Sequence, residues 1–451
     1  MKTRIRNLFF LHALIICLCL IQAETARAQS GYYNGYYWQK TGNTATIGGY
    51  TGSGTALTVP GAIPYGDTNL TVASIADLAF SQSDVTSITI PDTVTDIGSE
   101  AFSFCLSLTN AVLGNGVITI ESYAFWNCQK LTYINIPNGV ASIGDQAFYQ
   151  CGHVSSINIP GSVTNIGGLA FDGCGATNVI TIGSGLISIG FAALNDCFRL
   201  SGFTADPQNP FYSSLSGVLF DKNQTTLIAF PGGVGGNYAI PGTVTNIGPG
   251  AFSNATNLTN VTVPNSVMSI DTNAFFSCFG LTSIPIPDSV TNIEFQAFSA
   301  CWYLASVTIG SNVTSIGPRA FQYCDDLQSI YFRGNAPVTD STAFSGDTNA
   351  IAYYLLGTTG WSVFAANTGV PVTLWLPQIQ TGASGFGVQT NQFDFSINWT
   401  SGQTITIEAC TNLFSPDWQP LQTNTLAANS LYFSDPQVTN YPTRFYRILS
   451  P

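Results

Sequence analysis

Residue types that could carry out catalysis are sparse in this sequence. His153 is the one histidine after residue 28 and follows Cys151 by two positions, so a Cys–His nucleophile pair is conceivable, with an exposed corner histidine as the alternative. The sequence contains no H-E-x-x-H, C-x-x-C or G-x-S-x-G motif. Asp325 and Asp326 are too few oxygen ligands for a calcium loop, so we interpret them as a solvated turn. We predict no enzyme, metal site or cofactor, although a glycosidase-type carboxylate pair stays open.

Eight of the nine cysteines after residue 28 follow a fixed spacing. They recur every 23 residues, as Cys105, Cys128, Cys151, Cys174 and Cys197 and then as Cys278, Cys301 and Cys324. Both runs are odd in number, so disulfide pairing within a run leaves one thiol over. Equivalent side chains of stacked coils also point the same way, whereas the Cβ atoms of a disulfide point toward each other. We therefore predict a ladder of buried, free cysteines.

The same period governs the large apolar residues. Phenylalanines recur every 23 residues, as Phe102, Phe125, Phe148 and Phe171 and then as Phe252, Phe275, Phe298, Phe321 and Phe344. A fixed period of this length indicates a solenoid, in which each coil buries its apolar face only against its neighbours. Counting the aromatic or leucine anchors from Phe80 to Phe344 predicts about eleven 23-residue coils, with parallel stacked strands and short helical turns.

Residues 131–151 illustrate one complete coil. Apolar residues within 131–136 have the spacing of a strand whose alternate side chains face inward. Pro137 ends this strand because it has no N–H to donate. Gly144 is expected to permit a left-handed turn, and Phe148 to enter the core on a short helical turn. Every inward position is thereby filled with an apolar residue, so none of these residues needs a catalytic explanation.

Changes in composition divide the chain. Residues 1–28 combine a basic start, an apolar stretch and Ala-Arg-Ala, which predicts a signal peptide. The segments predicted after it are an N-terminal β cap (29–79), a solenoid with a hairpin insertion near 201–240 and a C-terminal cap (80–376), a linker (377–392) and a small all-β, sandwich-like domain (393–451). The insertion is expected to contain two strands around a turn at residues 221–224, followed by a flexible elbow at 231–236.

The repeated coil resembles the BspA-like leucine-rich repeats of bacterial secreted and surface proteins. The resemblance rests on the consensus SIxIPxxVTxIGxxAFxxC and on the insertion GVLFDKNQTTLIAFP, and it covers about residues 32–375. It implies a β-rich leucine-rich-repeat solenoid, and a function in adhesion or in binding host or matrix proteins. The stretch IEACTNLFSPDWQPLQTNTL near the C-terminus resembles a β-domain found at the ends of many exported bacterial repeat proteins.

Positions that the period leaves unconstrained are the candidates for ligand binding. The first predicted surface is the polar, nearly uncharged outward face of the strands, with the candidates Tyr133, Asn135, Asn158 and Tyr331. The second surface consists of aromatic residues at the coil corners beside the cysteines, with the candidates Trp126, Phe276, Trp302, Tyr303 and Tyr323. Exposed aromatics can stack on sugar rings or anchor a protein partner. The alternatives are that the polar face only confers solubility and that the aromatics only pack together.

The charge balance limits the choice of partner. Without residues 1–28, eight basic and 23 acidic residues leave a net charge of −15, which argues against nucleic acid and anionic lipid as partners. No stretch of the mature chain approaches transmembrane length. We predict a secreted or surface-attached binding or adhesion module for an extracellular protein or polysaccharide. The alternative is a structural component of the cell envelope or extracellular matrix that acts by self-association.

Overall fold

The computed structural model describes residues 29–175, 178–381, 386–389 and 391–450. The chain forms two compact units, Met1–Val234 (unit 1) and Gly235–Pro451 (unit 2). Strands and turns make up nearly all of the described residues, whose helical elements are the α-helix Trp361–Thr368 and the 3₁₀ turn Val438–Asn440. The predicted signal peptide lies outside the described residues.

Two series of short parallel strands run through unit 1, and each coil contributes one strand to each series. The first series starts from the antiparallel strands Ser30–Tyr33, Tyr36–Thr41 and Thr44–Tyr50 and continues through Thr68–Ile75 (flanked by Ala62–Tyr65), Asp96–Ile97, Thr119–Ile120, Ser142–Ile143, Asn165–Ile166 and Ser188–Ile189. The second series comprises Ala56–Thr58, Ser87–Thr89, Asn110–Val112 and Tyr133–Ile134, then, after a gap in pairing, Asn158–Ile159, Val179–Ile182 and Gly202–Ala205. Ile143 pairs with Ile166, so the 23-residue period is the strand register.

Unit 2 repeats this arrangement. Its first series is Asn246–Ile247, Ser269–Ile270, Asn292–Ile293 and Ser315–Ile316. Its second series is Gly236–Ala239, Leu258–Thr262, Ser283–Pro285, Ser306–Ile309, Ser329–Phe332, Ile351–Tyr354 and Val372–Leu374. The predicted solenoid of stacked parallel strands is therefore confirmed, because residues one period apart pair in both units.

A ladder of stacked phenylalanine rings fills the core of each unit. Rings one period apart are nearly parallel: the centroids of Phe148 and Phe171 are 5.1 Å apart with an interplanar angle of 7°, and those of Phe298 and Phe321 are 5.1 Å apart at 5°. All four side chains are buried. Identical residues at identical positions of stacked coils produce this arrangement, so the ladder follows directly from the period.

The turns that carry these phenylalanines form a third set of hydrogen bonds between coils. Around Phe148, residues Gln146 and Gln150 adopt left-handed conformations with φ of 54° and 60°. Such a conformation costs a non-glycine residue roughly 1 kcal/mol or more. It directs the N–H groups of Gln146, Phe148 and Gln150 to carbonyl oxygens of the next coil at 2.8–2.9 Å. The alternation of conformations keeps these segments as successive turns instead of longer helices.

Gly144 corrects the prediction of a left-handed glycine in this coil. Gly144 does not have a positive φ, whereas Gln146 and Gln150 do. A Cβ atom at Gly144 would lie 2.4 Å from the backbone nitrogen of Ser122 in the preceding coil. Glycine is required here because the two backbones approach closely.

The predicted cysteine ladder is confirmed. All nine described cysteines are free and buried. The Sγ atoms of Cys128 and Cys151 lie 3.1 and 3.2 Å from the carbonyl oxygens of Phe102 and Phe125, toward which their thiols donate. Each of the eight repeat cysteines therefore binds the phenylalanine turn of the preceding coil and is a structural residue.

Thiol titration checks this ladder. In denaturant, the chain from residue 29 onward is expected to show about nine reactive thiols, the number that the structure leaves free. The native protein should react slowly, because buried thiols are neutral and inaccessible. A count of only one or two thiols in denaturant would contradict the ladder and indicate disulfides.

The predicted β-hairpin is present in unit 1. It consists of strands Val218–Asp221 and Thr226–Ala229, which pair antiparallel. Strand Tyr212–Leu215 pairs antiparallel with Val218–Asp221 as a third strand. The Asp221 carboxylate closes the turn by accepting hydrogen bonds from the Thr225 and Thr226 N–H groups. The boundary between the two units falls within residues 231–236, which the sequence predicts as an elbow.

Asn209 attaches this insertion to the preceding coil. Its side chain is fully buried. The Nδ2 group donates to the carbonyl oxygens of Gly183 (2.8 Å) and Leu186 (3.1 Å), and Oδ1 accepts the N–H groups of Phe211 and Tyr212, both at 2.8 Å. One amide thus satisfies four backbone groups that have no place in the regular strand series.

The C-terminal part of unit 2 is a small β-domain of antiparallel sheets. One sheet contains Gln378–Gln380, Gly387–Gln389, Gln392–Asn398 and Ser430–Asp435, and the other contains Thr404–Cys410, Gln419–Thr425 and Phe445–Leu449. The first two of these strands lie within 377–392, which the sequence analysis assigns to a linker. They are ordered because both pair with Gln392–Asn398. The core of the domain also includes Leu355 of the solenoid.

A small apolar cavity lies at the gap in strand pairing in unit 1, between Tyr133–Ile134 and Asn158–Ile159. It is narrow, without room for a water molecule, and Val154 lies in its lining. In neighbouring coils the equivalent position is leucine, as at Leu131 and Leu108. The smaller valine leaves space beside Phe148 that a leucine fills in those coils.

Replacing Val154 with leucine is expected to raise the free energy of unfolding by about 1 kcal/mol, because one buried methylene group is added to existing space. Urea unfolding of both proteins measures this difference. The reverse change in a filled coil, Leu131→Val, should lower stability by about 1 kcal/mol. A destabilised Val154→Leu protein would show that the site is already close-packed.

Candidate binding surfaces

The outward strand face in unit 1 is polar and partly occupied by its own hydrogen bonds. Tyr133 is 52% exposed and pairs in register with Asn110. The side chain of Asn135 is engaged with the preceding coil, since its Oδ1 accepts the Leu113 N–H and its Nδ2 donates to the Leu113 carbonyl oxygen, both at 2.8 Å. The Oδ1 atom of Asn158 accepts a hydrogen bond from the Thr181 hydroxyl. Tyr133 is therefore the candidate that reaches furthest into solvent.

Tyr331 lies in an aromatic cluster of unit 2. Its ring centroid is 5.1 Å from that of Tyr353, its partner in the parallel strand pair, and 4.7 Å from that of Trp375. The Trp375 carbonyl oxygen accepts the indole N–H of Trp399 in the β-domain at 3.1 Å. Tyr331 is only half-buried, but these contacts give it a packing role.

The corner aromatics of unit 1 pack against one another. The ring centroid of Trp126 lies 4.6 Å from that of Phe104 and 5.5 Å from that of Tyr123, both edge-to-face. Trp126 is half-buried as a result. The contacts of Trp126 agree with the alternative in which the corner aromatics only pack together.

The corner of unit 2 differs because several rings remain exposed. Trp302, Tyr303 and Tyr323 are 46%, 58% and 53% exposed. The ring of Phe279 stacks on that of Trp302, with centroids 4.4 Å apart and an interplanar angle of 23°, while Phe276 is half-buried nearby in sequence. The carboxylates of Asp325 and Asp326 belong to the same corner. We name the set Phe279, Trp302, Tyr303, Tyr323, Asp325 and Asp326 the corner patch.

Asp325 and Asp326 were assigned only to a solvated turn in the sequence analysis. They follow Trp302 and Tyr303 by one period each, and the Asp326 N–H donates to the Trp302 carbonyl oxygen at 3.0 Å. The 23-residue spacing therefore predicts that these two carboxylates lie beside the exposed rings. Applying it to exposed residues, as well as to buried ones, would have identified the mixed aromatic and acidic character of this corner.

His153 and Cys151 do not form a nucleophile pair. The Cys151 thiol is buried and donates to the Phe125 carbonyl oxygen, and burial raises the thiol pKa above its usual value. The Nδ1 atom of His153 lies 2.6 Å from the carbonyl oxygen of Gln129, which places its proton on Nδ1. The two side chains thus serve separate backbone contacts.

Many carboxylates of the repeats hold adjacent coils together. Asp92, Asp145 and Asp288 each accept an N–H from the residue 23 positions later, at 2.6–2.7 Å. Among the described residues, no three His, Cys, Asp or Glu side chains are placed so that they could hold a metal ion. The same part of the chain contains no helix long and apolar enough to cross a membrane.

Two carboxyls are buried and have strongly shifted acidities. Burial, and secondarily repulsion from Asp196, raises the pKa of Asp172 to about 7. Burial also raises the pKa of Asp347 to about 8, against the opposing hydrogen bond from the Cys324 N–H. Asp347 stands one period after Cys324, so it replaces a cysteine at the end of the second ladder.

Comparison with known proteins identifies the repeats. The family model for the BspA type leucine rich repeat region matches residues 73–201 and 236–351, in six copies, which is more than half of the chain. No curated protein matches the chain by sequence.

Solved structures of bacterial proteins share the fold. A leucine-rich cell surface protein of Faecalibacterium prausnitzii A2-165 is 29% identical with a TM-score of 0.63, over 76% of this chain and 99% of that one. The pneumococcal vaccine antigen PcpA is 21% identical with a TM-score of 0.61, over 78% of this chain and 99% of that one. The consensus, the stacked coils and the family match agree, and the chain belongs to the BspA-type leucine-rich repeat family.

Proposed function

We propose that the protein is an exported binding module that presents a repeat-built surface to an extracellular protein or polysaccharide. The observation that carries this proposal is the corner patch of unit 2. Three of its rings are about half exposed, whereas Trp126 at a corner of unit 1 packs edge-to-face on Phe104 and Tyr123. Exposed aromatics at adjoining positions are typical of binding sites, because they bury a large area on contact with little loss of side-chain entropy. Membership of a surface-protein family supports the same function.

Arrays of extracellular proteins and of glycans, probed with residues 29–451, test this function. A saturable ligand is expected, and Trp302→Leu should weaken its binding by about tenfold, the loss typical of a partly exposed aromatic anchor. Tyr133→Ala tests the strand face in the same assay. Phe414→Ala is the matched control, since this aromatic residue is fully exposed in the β-domain. Unchanged binding by both the Trp302 and Tyr133 variants would reject both surfaces.

A second candidate function is self-association, which the β-domain supports. Strand Gln419–Thr425 is exposed along most of its length and, among the described strands, pairs on one side only, with Thr404–Cys410. It has no charged residue, and its protection against edge-to-edge pairing is confined to Pro420 and the bulge at Ile407–Glu408, near one end of the strand. If the edge pairs with another copy, sedimentation should show concentration-dependent assembly that Leu421→Lys abolishes. A monomer at all concentrations would reject this candidate.

A further inference from the structure

One face of the Trp302 ring is covered by a neighbouring ring, and the side chain remains 46% exposed. Phe279, one coil earlier, stacks on the ring at 4.4 Å. The equivalent position one coil later is Asp325, whose short side chain cannot continue the aromatic stack. The coils are in register here, since the Asp326 N–H donates to the Trp302 carbonyl oxygen. The Trp302 ring therefore adjoins two carboxylates of the following coil, those of Asp325 and Asp326.

The negative charge at this corner has no counterpart in the described residues. Asp325 and Asp326 are both exposed, and neither belongs to an ion pair. Residues 235–375 contain seven acidic and two basic residues, Arg319 and Arg333. Arg333 pairs with Asp288 at 3.7 Å, and Arg319, on the turn that leads to Tyr323, forms no ion pair in the described part of the chain. The corner patch is thus an uncompensated anionic site with an aromatic surface.

Asp347, in the following coil, adds a buried group to this site. It is 6% exposed, and its Oδ2 atom has no hydrogen-bond partner among the described residues. Burial is the main cause of the raised pKa of Asp347, and repulsion from Asp325 adds to it.

We propose that the corner patch binds an arginine or lysine side chain from a basic segment of a partner protein. The proposal rests on the binding function above and specifies its ligand. A guanidinium group would lie flat on the face of the Trp302 ring opposite Phe279 and donate hydrogen bonds to Asp325 and Asp326. Charge complementarity supports this occupant, because a neutral sugar could use the ring but would leave both carboxylates without a counter-charge.

Fluorescence anisotropy with residues 29–451 and a labelled Gly-Ser peptide containing three arginines tests the proposal. The comparison peptide carries citrulline, which is neutral and nearly the same shape as arginine. The arginine peptide should bind at least fivefold more tightly, about the value of one cation–π contact with its carboxylates. Its binding should weaken as salt is added, because the contact is exposed.

Two variants locate the site. Trp302→Leu keeps an apolar contact with Phe279 but loses the aromatic face, and the double change Asp325→Asn with Asp326→Asn removes the charge. Each is expected to weaken binding of the arginine peptide about fivefold or more. Asp67→Asn with Asp84→Asn is the matched control, because it removes two exposed charges from unit 1. Equal melting temperatures establish that the variants fold.

The remaining outcomes separate this proposal from the binding function. Equal affinity for the arginine and citrulline peptides, or no effect of the double Asp change, would overturn the basic-segment proposal. Binding of cellohexaose that depends on Trp302, without binding of the arginine peptide, would overturn it and retain the corner patch as a glycan site. If Trp302 affects the binding of no peptide, sugar or array ligand, both the basic ligand and the binding function assigned to the corner patch are wrong.

Discussion

Replacing Asn209 with alanine is expected to lower the free energy of unfolding of unit 1 by about 3–5 kcal/mol. The side chain is fully buried and satisfies four backbone groups, at Gly183, Leu186, Phe211 and Tyr212. Its loss removes these four hydrogen bonds from a fully buried site, and each buried group left unsatisfied costs about 1–3 kcal/mol. Partial relaxation keeps the total below the sum. Urea unfolding followed by circular dichroism measures the change.

Asn223 provides the control for this prediction. It is exposed in the hairpin turn, and Asn223→Ala should change stability by less than about 0.5 kcal/mol. Aspartate at position 209 is a second informative variant, because it keeps both acceptor interactions and loses both donors. We expect Asn209→Asp to be destabilised as well, since a buried carboxylate would face two carbonyl oxygens. Stability of Asn209→Ala close to that of the original protein would show that the insertion is held by its apolar contacts alone.

The protein is expected to be more stable in mild acid than at pH 8. Asp172 and Asp347 have folded-state pKa values of about 7 and about 8, whereas an unfolded aspartate titrates near 3.8. The folded protein therefore binds these protons more tightly than the unfolded chain does. Each protonated carboxyl makes its full contribution to the free energy of unfolding below about pH 4. This contribution is lost as pH rises through the folded-state pKa. Each group contributes a slope of up to about 1.4 kcal/mol per pH unit within its window.

Asp347→Asn isolates this effect in unit 2. The amide oxygen can still accept the Cys324 N–H, but the group no longer ionises. The difference in free energy of unfolding between the variant and the unmodified protein should be about 3 kcal/mol more favourable to the variant at pH 8 than at pH 5. Denaturant unfolding of both proteins at both pH values measures it. Asp84→Asn, an exposed change, should leave the pH profile unaltered. An unchanged profile for Asp347→Asn would show that Asp347 is ionised at little cost in the folded protein.

The core was predictable residue by residue because a solenoid contacts itself only between neighbouring coils. Spacing of 23 residues placed Phe148 beside Phe171 and made Cys151 equivalent to Cys128, and the structure confirms both. The backbone conformation was less predictable. The left-handed positions fall on Gln146 rather than Gly144, and on Leu169 in the next coil, since a non-glycine residue can adopt that conformation when its N–H gains a partner in the next coil.

The candidate surfaces were only partly predictable from outward spacing. Asn135 occupies an outward position, yet its amide binds the backbone of Leu113. Tyr331 also faces outward, but Trp375, which lies 44 residues later, stacks against it. No repeat rule relates Trp375 to Tyr331, because Trp375 follows the last regular coil. Trp302 and Tyr323 keep their exposure because the residues that follow them by one period are not aromatic.

The sequence by itself determined which residues become neighbours within the repeats: the period assigned the phenylalanine and cysteine ladders and the strand register. Only the tertiary structure decided which outward side chains remain free, where Asn209 attaches the insertion and that strands form within residues 377–392. The physical reason is the range of the contacts. Neighbouring coils interact at a constant separation of 23 residues, whereas exposure and capping depend on segments outside the period, whose positions no spacing encodes.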